Sequence, residues 1–453
     1  SSDLGKMMTI KKYDVGIIGS GPAGLAAAQD LKKAGKSVVV IEKYLWGGTC
    51  PNYGCDPKKL LLAAVEAKES VTFLADKGVK GHNAIDWSAL MAHKTQFTSK
   101  VSESTLASLA TNEIDHVFGQ AQFVNYNTVK IGATDTTIKA TDWVIAVGQR
   151  PAKLTIPGAD LAIDSEAFLS LATMPKAIAI IGGGYIAFEF AAIAAGAGAE
   201  VHLIVHNQRP LKQFNEELVK RLVNALEKRG VIIHYNMQVS AISQDNHDFV
   251  VHSNQNNGIK VGKVISAVGR LSNADTLALN HAGVMYEHSG VRVNQYLRTT
   301  NPHIYAVGDV ANSGVAKLTP VGAYEGHYVA KVIVNAQQSP INYPAIPVVV
   351  YGTPKLAQVG VTLEQAENQP NLTSHSLDMT NWFSYYRMGE PVVHAKIILD
   401  DAGVIVGATV IGTHADELIN YLTSAINQKA NYQDVTNHIY AYPTIASDLP
   451  YFF

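Results

Sequence analysis

Cysteine is nearly absent from this chain: two residues, Cys50 and Cys55, in 453. A disulfide-stapled secreted scaffold is thereby excluded, because such folds use many cysteines to offset a small core and a chain this long buries a core without them. An excess of charge of one sign is also lacking, with 36 Lys and Arg against 38 Asp and Glu and a formal net charge of -2. Neither nucleic acid nor an anionic membrane surface is therefore an expected partner. Long uninterrupted hydrophobic runs are missing as well. Residues 15–28 follow Lys11-Lys12 as a signal-peptide core would, but they hold spaced glycines and a proline and run on into Gln29-Asp30-Leu31-Lys32-Lys33. Residues 177–199 are long enough to span a bilayer, yet three consecutive glycines divide them and Glu189 sits inside, so strand, turn and helix fit better. Hydrophobic residues at 47% describe an ordinary soluble globular chain, and the length implies about three domains. Residues 1–6, ahead of Met7-Met8, read as a remnant preceding the native start.

What is present is organised around Gly47-Gly48-Thr49-Cys50-Pro51-Asn52-Tyr53-Gly54-Cys55-Asp56-Pro57-Lys58-Lys59. A lone close pair of cysteines in a long chain points to redox chemistry or a metal. A metal would need further ligands, and no metal site is expected. In an ideal helix residues five apart stand about 8.7 Å from one another, beyond the span of an unstrained disulfide. For the two thiols to act together the helix must be distorted between them, and Pro51 and Gly54 are residue types that permit this. Asp56, beside Cys55, is expected to raise that thiol's pKa by charge repulsion.

Residues 13–18 form a continuous apolar run of the buried parallel-strand kind, followed by Gly19-Ser20-Gly21-Pro22-Ala23-Gly24 and an alanine-rich helix. A second strand at 37–41 ends on Glu42, about 20 residues after the glycines, where an acid accepts from a ribose hydroxyl. A pyrophosphate would rest on the intervening helix N-terminus, where amides and dipole favour negative charge. Residues 60–111 are helical in composition, 113–133 carry short β-rich runs, and 141–148 return the chain to a strand ending at Gly148. The pattern then repeats. Ala177-Ile178-Ala179-Ile180-Ile181 leads into Gly182-Gly183-Gly184-Tyr185-Ile186-Ala187, and residues 264–269 close the second unit at Gly269. Two nucleotide sites in one chain suggest an electron relay between two cofactors. Residues 200–209 lack the acid that would hold the ribose diol of NADH; His206, Arg209 and the following Lys212 offer donors to a 2′-phosphate instead. NADPH is favoured, with NADH still possible. From about residue 341 the glycine turns stop and an α+β segment begins, with strands at 346–351 and 396–399.

The GGTC-x4-C-x-PKK stretch resembles the redox-active motif of the flavoprotein disulfide reductases, the family of glutathione reductase, dihydrolipoyl dehydrogenase and mercuric reductase. The resemblance covers nearly the whole chain from about Tyr13. It implies an α/β fold with two Rossmann-like dinucleotide-binding domains, one for FAD (1–150 and 272–340) and one for NAD(P)H (151–271), plus a C-terminal α+β dimerisation domain (341–453). It implies that Cys50 attacks the substrate while Cys55 holds a thiolate against the flavin. Lys58 would lie near the flavin's reactive nitrogen with Glu189 as its partner. The run Thr300-Asn301-Pro302-His303-Ile304-Tyr305-Ala306-Val307-Gly308-Asp309 matches the second FAD motif, with Asp309 on the ribityl chain, and Leu318-Thr319-Pro320 matches the segment along the flavin. The implied FAD contacts are Gly19, Gly21, Gly24, Glu42, Gly48, Thr49, Ala121, Gly148, Asp309 and Thr319; the implied nicotinamide contacts are Gly182, Gly184, Ile186, His206, Arg209 and Gly269. A cytoplasmic homodimer that delivers its C-terminal residues into the partner's active site is expected.

The tail departs from that family. Its H-P-T-x-x-E pattern supplies an imidazole that shuttles protons to the thiols and a glutamate that orients it. Here Tyr440-Ala441-Tyr442-Pro443-Thr444-Ile445-Ala446-Ser447-Asp448 puts Tyr442 at the histidine position and Ser447 at the glutamate position. A phenol of ordinary pKa about 10 is a poor base at neutral pH. Asp448 and His438 are off register and expected to be solvated. Gln29 and His327 stand where glutathione reductases carry arginine, and mercuric reductases also place tyrosine at the imidazole position. The expected activity is an FAD-dependent NAD(P)H oxidoreductase that passes hydride via flavin to Cys50-Cys55 and on to a small disulfide, a metal ion or a quinone. The alternative is a redox-sensing or binding protein of the same fold with weak turnover.

Overall fold

A computed structural model describes residues 9–132, 134, 136–255 and 258–453. The remnant read at 1–6 and Ala133, the end of the β-rich run, lie outside the described residues. The chain divides into two compact units, each made of three segments: the chain up to Pro57 with Thr95–Ala152 and Arg270–Asn342, and Lys58–Lys94 with Lys153–Gly269 and Tyr343–Phe453.

In the first unit β1 (Thr9–Ile18) is central because Val15, Ile17 and Ile18 are apolar on both faces and all buried. The glycine turn sends the chain into α1 (Pro22–Lys33), with proline in its first turn and Lys32 and Lys33 in its last turn, where cations oppose the negative end of the helix dipole. α1 returns it to β2 (Val38–Glu42), parallel to β1 in the register Val15↔Val38 to Ile18↔Ile41. The strands β3 (Asp115–Phe118), β4 (Ala121–Phe123), β5 (Thr128–Ile131) and β6 (Thr136–Ile145) complete a sheet of order β3-β2-β1-β6-β5-β4, and the strand Ile304–Ala306 pairs in parallel with β6. The returning strand read at 141–148 begins earlier and ends earlier than expected. Its first half pairs with β5 as well as β1, so it grows backwards into the strand excursion.

The second unit contains a four-stranded parallel sheet in the order Val231–His234, Glu200–Ile204, Ala177–Ile181, Lys263–Ser266. The helix Tyr185–Gly196 follows the second glycine turn and is buried throughout from Ala187 to Gly196, so its alanine-rich composition fits a core helix and not a membrane span. Among the described residues no helix is long and apolar enough to cross a membrane. A five-stranded antiparallel sheet, Val348–Val350, Lys355–Gly360, Ile405–Gly412, His394–Asp400 and Leu372–Asp378, carries the C-terminal α+β segment. The helix Ala415–Asn427 buries Ala415, Leu418, Ile419 and Leu422, a helical-period stripe, in the same core as Ala395, Ile397, Ala408 and Val410 of that sheet.

Candidate functional site

The helix carrying the cysteines is broken between them. α2 (Thr49–Tyr53) stops at Gly54, whose backbone (φ -128°, ψ -120°) is not helical, and α3 (Cys55–Phe73) begins anew. A Cβ on Gly54 would stand 2.9 Å from the Thr49 carbonyl oxygen and 3.1 Å from the Cys50 Cα. Only glycine lets the chain fold back this tightly, and the fold-back brings the two sulfurs, here in the dithiol form, within hydrogen-bonding reach. Cys55 Sγ lies 3.8 Å from Thr319 Oγ1 at the start of the helix Thr319–Ile333. Cys50 Sγ lies 3.9 Å from Asp56 Oδ1. The Asp56 carboxylate, expected to act on Cys55, thus also faces Cys50. Consecutive helix residues point about 100° apart, whereas the break folds Cys50 back over the first turn of α3. The Cys50 thiol is pushed well above its ordinary value by its hydrogen bond to Cys55, by burial and by the charge of Cys55, with a further push from Asp56 against a pull from the Thr319 hydroxyl.

The same unit holds a glycine turn and an acid whose chemistry suits FAD. Gly21 caps α1 without any side-chain hydrogen bond, so the first amides of that helix are available to a pyrophosphate. Gly48 has a left-handed backbone (φ +77°), and a Cβ there would stand 2.6 Å from Gly21 Cα. The entry to the cysteine segment thus lies against the glycine turn with no room for a side chain. Glu42, at the end of β2, accepts from Ser20 N–H at 3.1 Å and Ser20 Oγ–H at 2.7 Å on one oxygen, and from Lys43 and Tyr44 N–H at 2.8 and 3.0 Å on the other. Ser20 also accepts from Gly47 N–H at 3.1 Å and so ties Glu42, the acid expected to meet a ribose, to the cysteine segment. Sequence reading passed Ser20 over because it fills a variable position of the glycine pattern. Burial pushes the Asp309 carboxyl up, against Arg270 and Lys317. Lys317, whose ammonium burial pulls down, donates to the carbonyls of Asp309 and Ala311 at 2.8 and 2.6 Å. Gly148 adopts a left-handed backbone and accepts from Asn273 N–H at 3.0 Å. Ala121 is a core residue of β4, packed with Phe123 and Ile131.

In the second unit the turn 182–184 leads into an equally open helix start, Gly184 capping without a side-chain bond, with Ile186 part-buried in the first turn. Gly269 adopts a left-handed backbone (φ +113°) just past the returning strand. Glu189, 2% exposed, meets Lys58 Nζ at 2.6 Å and Lys59 Nζ at 3.7 Å and accepts from Tyr351 N–H at 3.1 Å. Burial alone would raise this carboxyl, but the two ammonium groups and the Tyr351 amide outweigh it and hold it below its ordinary value. Lys59 also sits 4.0 Å from the Tyr351 ring centroid and Lys58 5.3 Å from that of Tyr185. Tyr185 and Tyr351 carried no local signal that sequence reading could use, and Lys59 was read only as part of the motif.

At the end of the strand Glu200–Ile204 the structure separates the proposed phosphate donors. His206 is exposed, while the Arg209 guanidinium is held by Glu364 at 2.9 Å and by the Phe214 carbonyl at 3.4 Å. In the tail Tyr442 is 74% exposed, its ring stacked on Phe383 with centroids 6.4 Å apart. Ser447 closes a local turn, donating to the Thr444 carbonyl at 2.7 Å and accepting from its N–H at 3.1 Å. His438 is exposed. Asp448, expected to be solvated, is 7% exposed, and burial pushes its carboxyl up against a bond from the buried Ser384. Among the described residues no cluster of three or more His, Cys, Asp or Glu could hold a metal ion.

Residues 13–338 match the family model of the pyridine nucleotide-disulphide oxidoreductases, and residues 346–451 match the dimerisation domain of the same family. The chain belongs to that family. It is 31% identical over 443 residues to a glutathione reductase from Burkholderia cepacia, covering 96% of this chain and 97% of the relative. It is 30% identical over 450 residues to a dihydrolipoyl dehydrogenase from Geobacillus stearothermophilus, covering 95% and 93%. Among solved structures it is similar to a Cu(II) complex of a mutant of RclA, a HOCl-induced flavoprotein disulfide reductase from Escherichia coli. The TM-score is 0.90 at 26% identity, over 98% of this chain and 99% of the other. The pyridine nucleotide-disulphide oxidoreductases are FAD-dependent flavoproteins that use a pyridine nucleotide. Their fold is that expected from the sequence: dinucleotide-binding α/β units and a C-terminal dimerisation domain.

Proposed function

We propose that the protein is an NADPH-oxidising flavin reductase that passes a pair of electrons to Cys50-Cys55 and from there to an acceptor other than glutathione disulfide. The observation that carries this reading is the dithiol folded across Gly54, with Cys55 against Thr319 and the same segment seated on the FAD cradle. FAD held there would supply acceptance of hydride from the nicotinamide and a pair of electrons to open the Cys50–Cys55 disulfide to the dithiol. The chain's own residues do the rest. Cys55 faces the flavin and Cys50 the acceptor, and Lys58 with Glu189 fixes a positive charge near the reactive nitrogen. The helix-start amides at Gly21 and Gly24 and at Gly184 would bind the two pyrophosphates, while Gly19 and Gly182, whose N–H groups donate to the Ile41 and Ile204 carbonyls, shape the turns. A homodimer in the cytoplasm, with the three-domain division 1–150 and 272–340, 151–271 and 341–453, completes the reading.

The missing acid after the strand Glu200–Ile204 supports NADPH, with exposed His206 and Lys212 as donors; Arg209 must first leave Glu364. Flavin reduction by NADPH should be at least about tenfold faster than by NADH, the worth of roughly 1.4 kcal/mol of charge-assisted bonding. Stopped-flow reduction with each nucleotide measures this, and a clear NADH preference would show that His206 has been misread.

The choice of acceptor rests on the tail and on His327. Tyr442 and Ser447 cannot reproduce an imidazole and its orienting carboxylate. His327 is bonded to Asp30 at 2.6 Å instead of presenting a free cation to a glutathione carboxylate. A metal ion or a quinone is the better acceptor, and the Cu(II) complex of the RclA mutant supports the first. Steady-state NADPH oxidation against glutathione disulfide, Cu(II) and a quinone tests the order. Restoring the proton carrier with Tyr442→His and Ser447→Glu should raise disulfide turnover about 100-fold, the usual worth of a positioned acid–base group. If the unmodified enzyme already reduces a small disulfide efficiently and Tyr442→Phe abolishes it, tyrosine is the working acid and the reading of the acceptor is wrong.

A further inference from the structure

Asp56 carries no role in the account so far. As the second residue of α3 it is a favourable partner for the positive end of the helix dipole, and that would be sufficient reason for an acid here. Its side chain does more, because Oδ1 lies 3.9 Å from Cys50 Sγ as an acceptor of the thiol proton. Among the described residues the groups that act most on the Cys50 sulfur are Cys55, the Thr319 hydroxyl and Asp56. The next cations along α3, Lys58 and Lys59, are engaged by Glu189 at 2.6 and 3.7 Å.

We propose that Asp56 holds Cys50 in its thiol form and thereby sets the acceptor class, disfavouring disulfides and leaving the dithiol to acceptors that form no bond to sulfur. This rests on the reading that Cys50 is the acceptor-facing thiol. Exchange with a disulfide requires a thiolate. The Cys50 thiolate attacks one sulfur of R–S–S–R, forms Cys50–S–S–R and expels RS⁻. Cys55 thiolate then attacks the Cys50 sulfur, closes the Cys50–Cys55 bond and expels the second RS⁻. Two electrons pass from the dithiol to the substrate, and the two protons of the thiols end on the two RS⁻. A carboxylate that accepts the Cys50 proton stabilises the thiol and repels the thiolate, so it slows the first step. One-electron acceptors avoid that step. Two molecules of a one-electron acceptor that binds no sulfur, of the ferricyanide type, take one electron each, and the two thiol protons pass to solvent as the disulfide closes.

The test uses the FAD-loaded enzyme reduced anaerobically with NADPH and alkylated with iodoacetamide from pH 6 to 10, each cysteine being followed separately by peptide mass spectrometry. Unmodified protein, Asp56→Asn, Asp56→Glu and Asp56→Ser are compared; serine is a second neutral residue well tolerated at a helix start should asparagine impair folding. In the neutral variants the midpoint for Cys50 should fall by about one pH unit or more. Alkylation of Cys50 at pH 7 should then rise about tenfold, and glutathione disulfide turnover should rise with it. Asp56→Glu should restore the higher midpoint, which a purely helix-stabilising acid would not influence. An unchanged Cys50 midpoint in both neutral variants would overturn the proposal alone. Slower Cys50 alkylation in them would also overturn it, making Asp56 a base for Cys50. Preferential labelling of Cys55 in every protein would overturn the thiol roles themselves, and the proposal with them.

Discussion

Glu189→Ala should lower the unfolding free energy by about 3–5 kcal/mol, the cost of leaving a buried charge without its partner. Glu189 lies in a helix buried from Ala187 to Gly196, with Lys58 also buried and its ammonium 2.6 Å away. Alanine removes the acceptor for two lysines and for the Tyr351 amide together. The pair as a whole need not stabilise the fold, since a packed apolar replacement of both partners is often neutral or better. Glu189→Leu with Lys58→Met should therefore recover most of the loss. The pH dependence has a definite sign. The carboxyl is held below its ordinary value in the folded protein, so its contribution is fully present above the unfolded glutamate pKa of about 4.3 and is lost as pH falls through the lower folded value. Urea unfolding at pH 7 and at pH 4 and below should show the variant's deficit shrinking as acid is added. A deficit below about 1 kcal/mol at pH 7 would mean that water reaches Lys58.

The elements that could be read from the sequence are those whose signal is local. Both strand-glycine-helix units were legible because continuous apolar runs meet glycines at fixed spacing, and the parallel register Val15↔Val38 follows from burying both faces. The helix break at Gly54 was legible too, since five-residue spacing and thiol cooperation are incompatible with an unbroken helix. Lys58 and Glu189 are 131 residues apart, and only the family resemblance joined them. Ser20, Lys317 and Tyr351 escaped notice because their partners are supplied by the tertiary fold. Asp56 was read only for its effect on Cys55, and its contact with Cys50 escaped notice because sequence adjacency says nothing of how the break turns Cys50 back. Asp448 was misplaced for a related reason: it is buried, and its partner Ser384 lies more than sixty positions earlier in the chain. Arg209 was read as a free cation, but Glu364 lies 155 residues further on.

Cys55→Ser should abolish electron storage outside the flavin. Cys55 is the thiol beside Thr319, and its partner Cys50 is held protonated by the contacts described above, so in the two-electron-reduced enzyme the charge belongs on Cys55. A thiolate stacked on an oxidised flavin gives a long-wavelength absorption band, whereas serine at 55 can neither form it nor close a disulfide with Cys50. Cys50→Ser removes the disulfide but leaves the thiolate. Anaerobic titration of the FAD-loaded enzyme with dithionite, recorded across the visible spectrum, is the most direct measurement of the central claim. The unmodified protein should take up about four electrons, the first pair producing the long-wavelength band. Cys55→Ser should take up two with no band, and Cys50→Ser should show the band before any reductant is added. Bleaching of the flavin by the first two electrons in the unmodified protein, with no band at any stage, would contradict the claim that Cys50 and Cys55 lie on the path of the electrons.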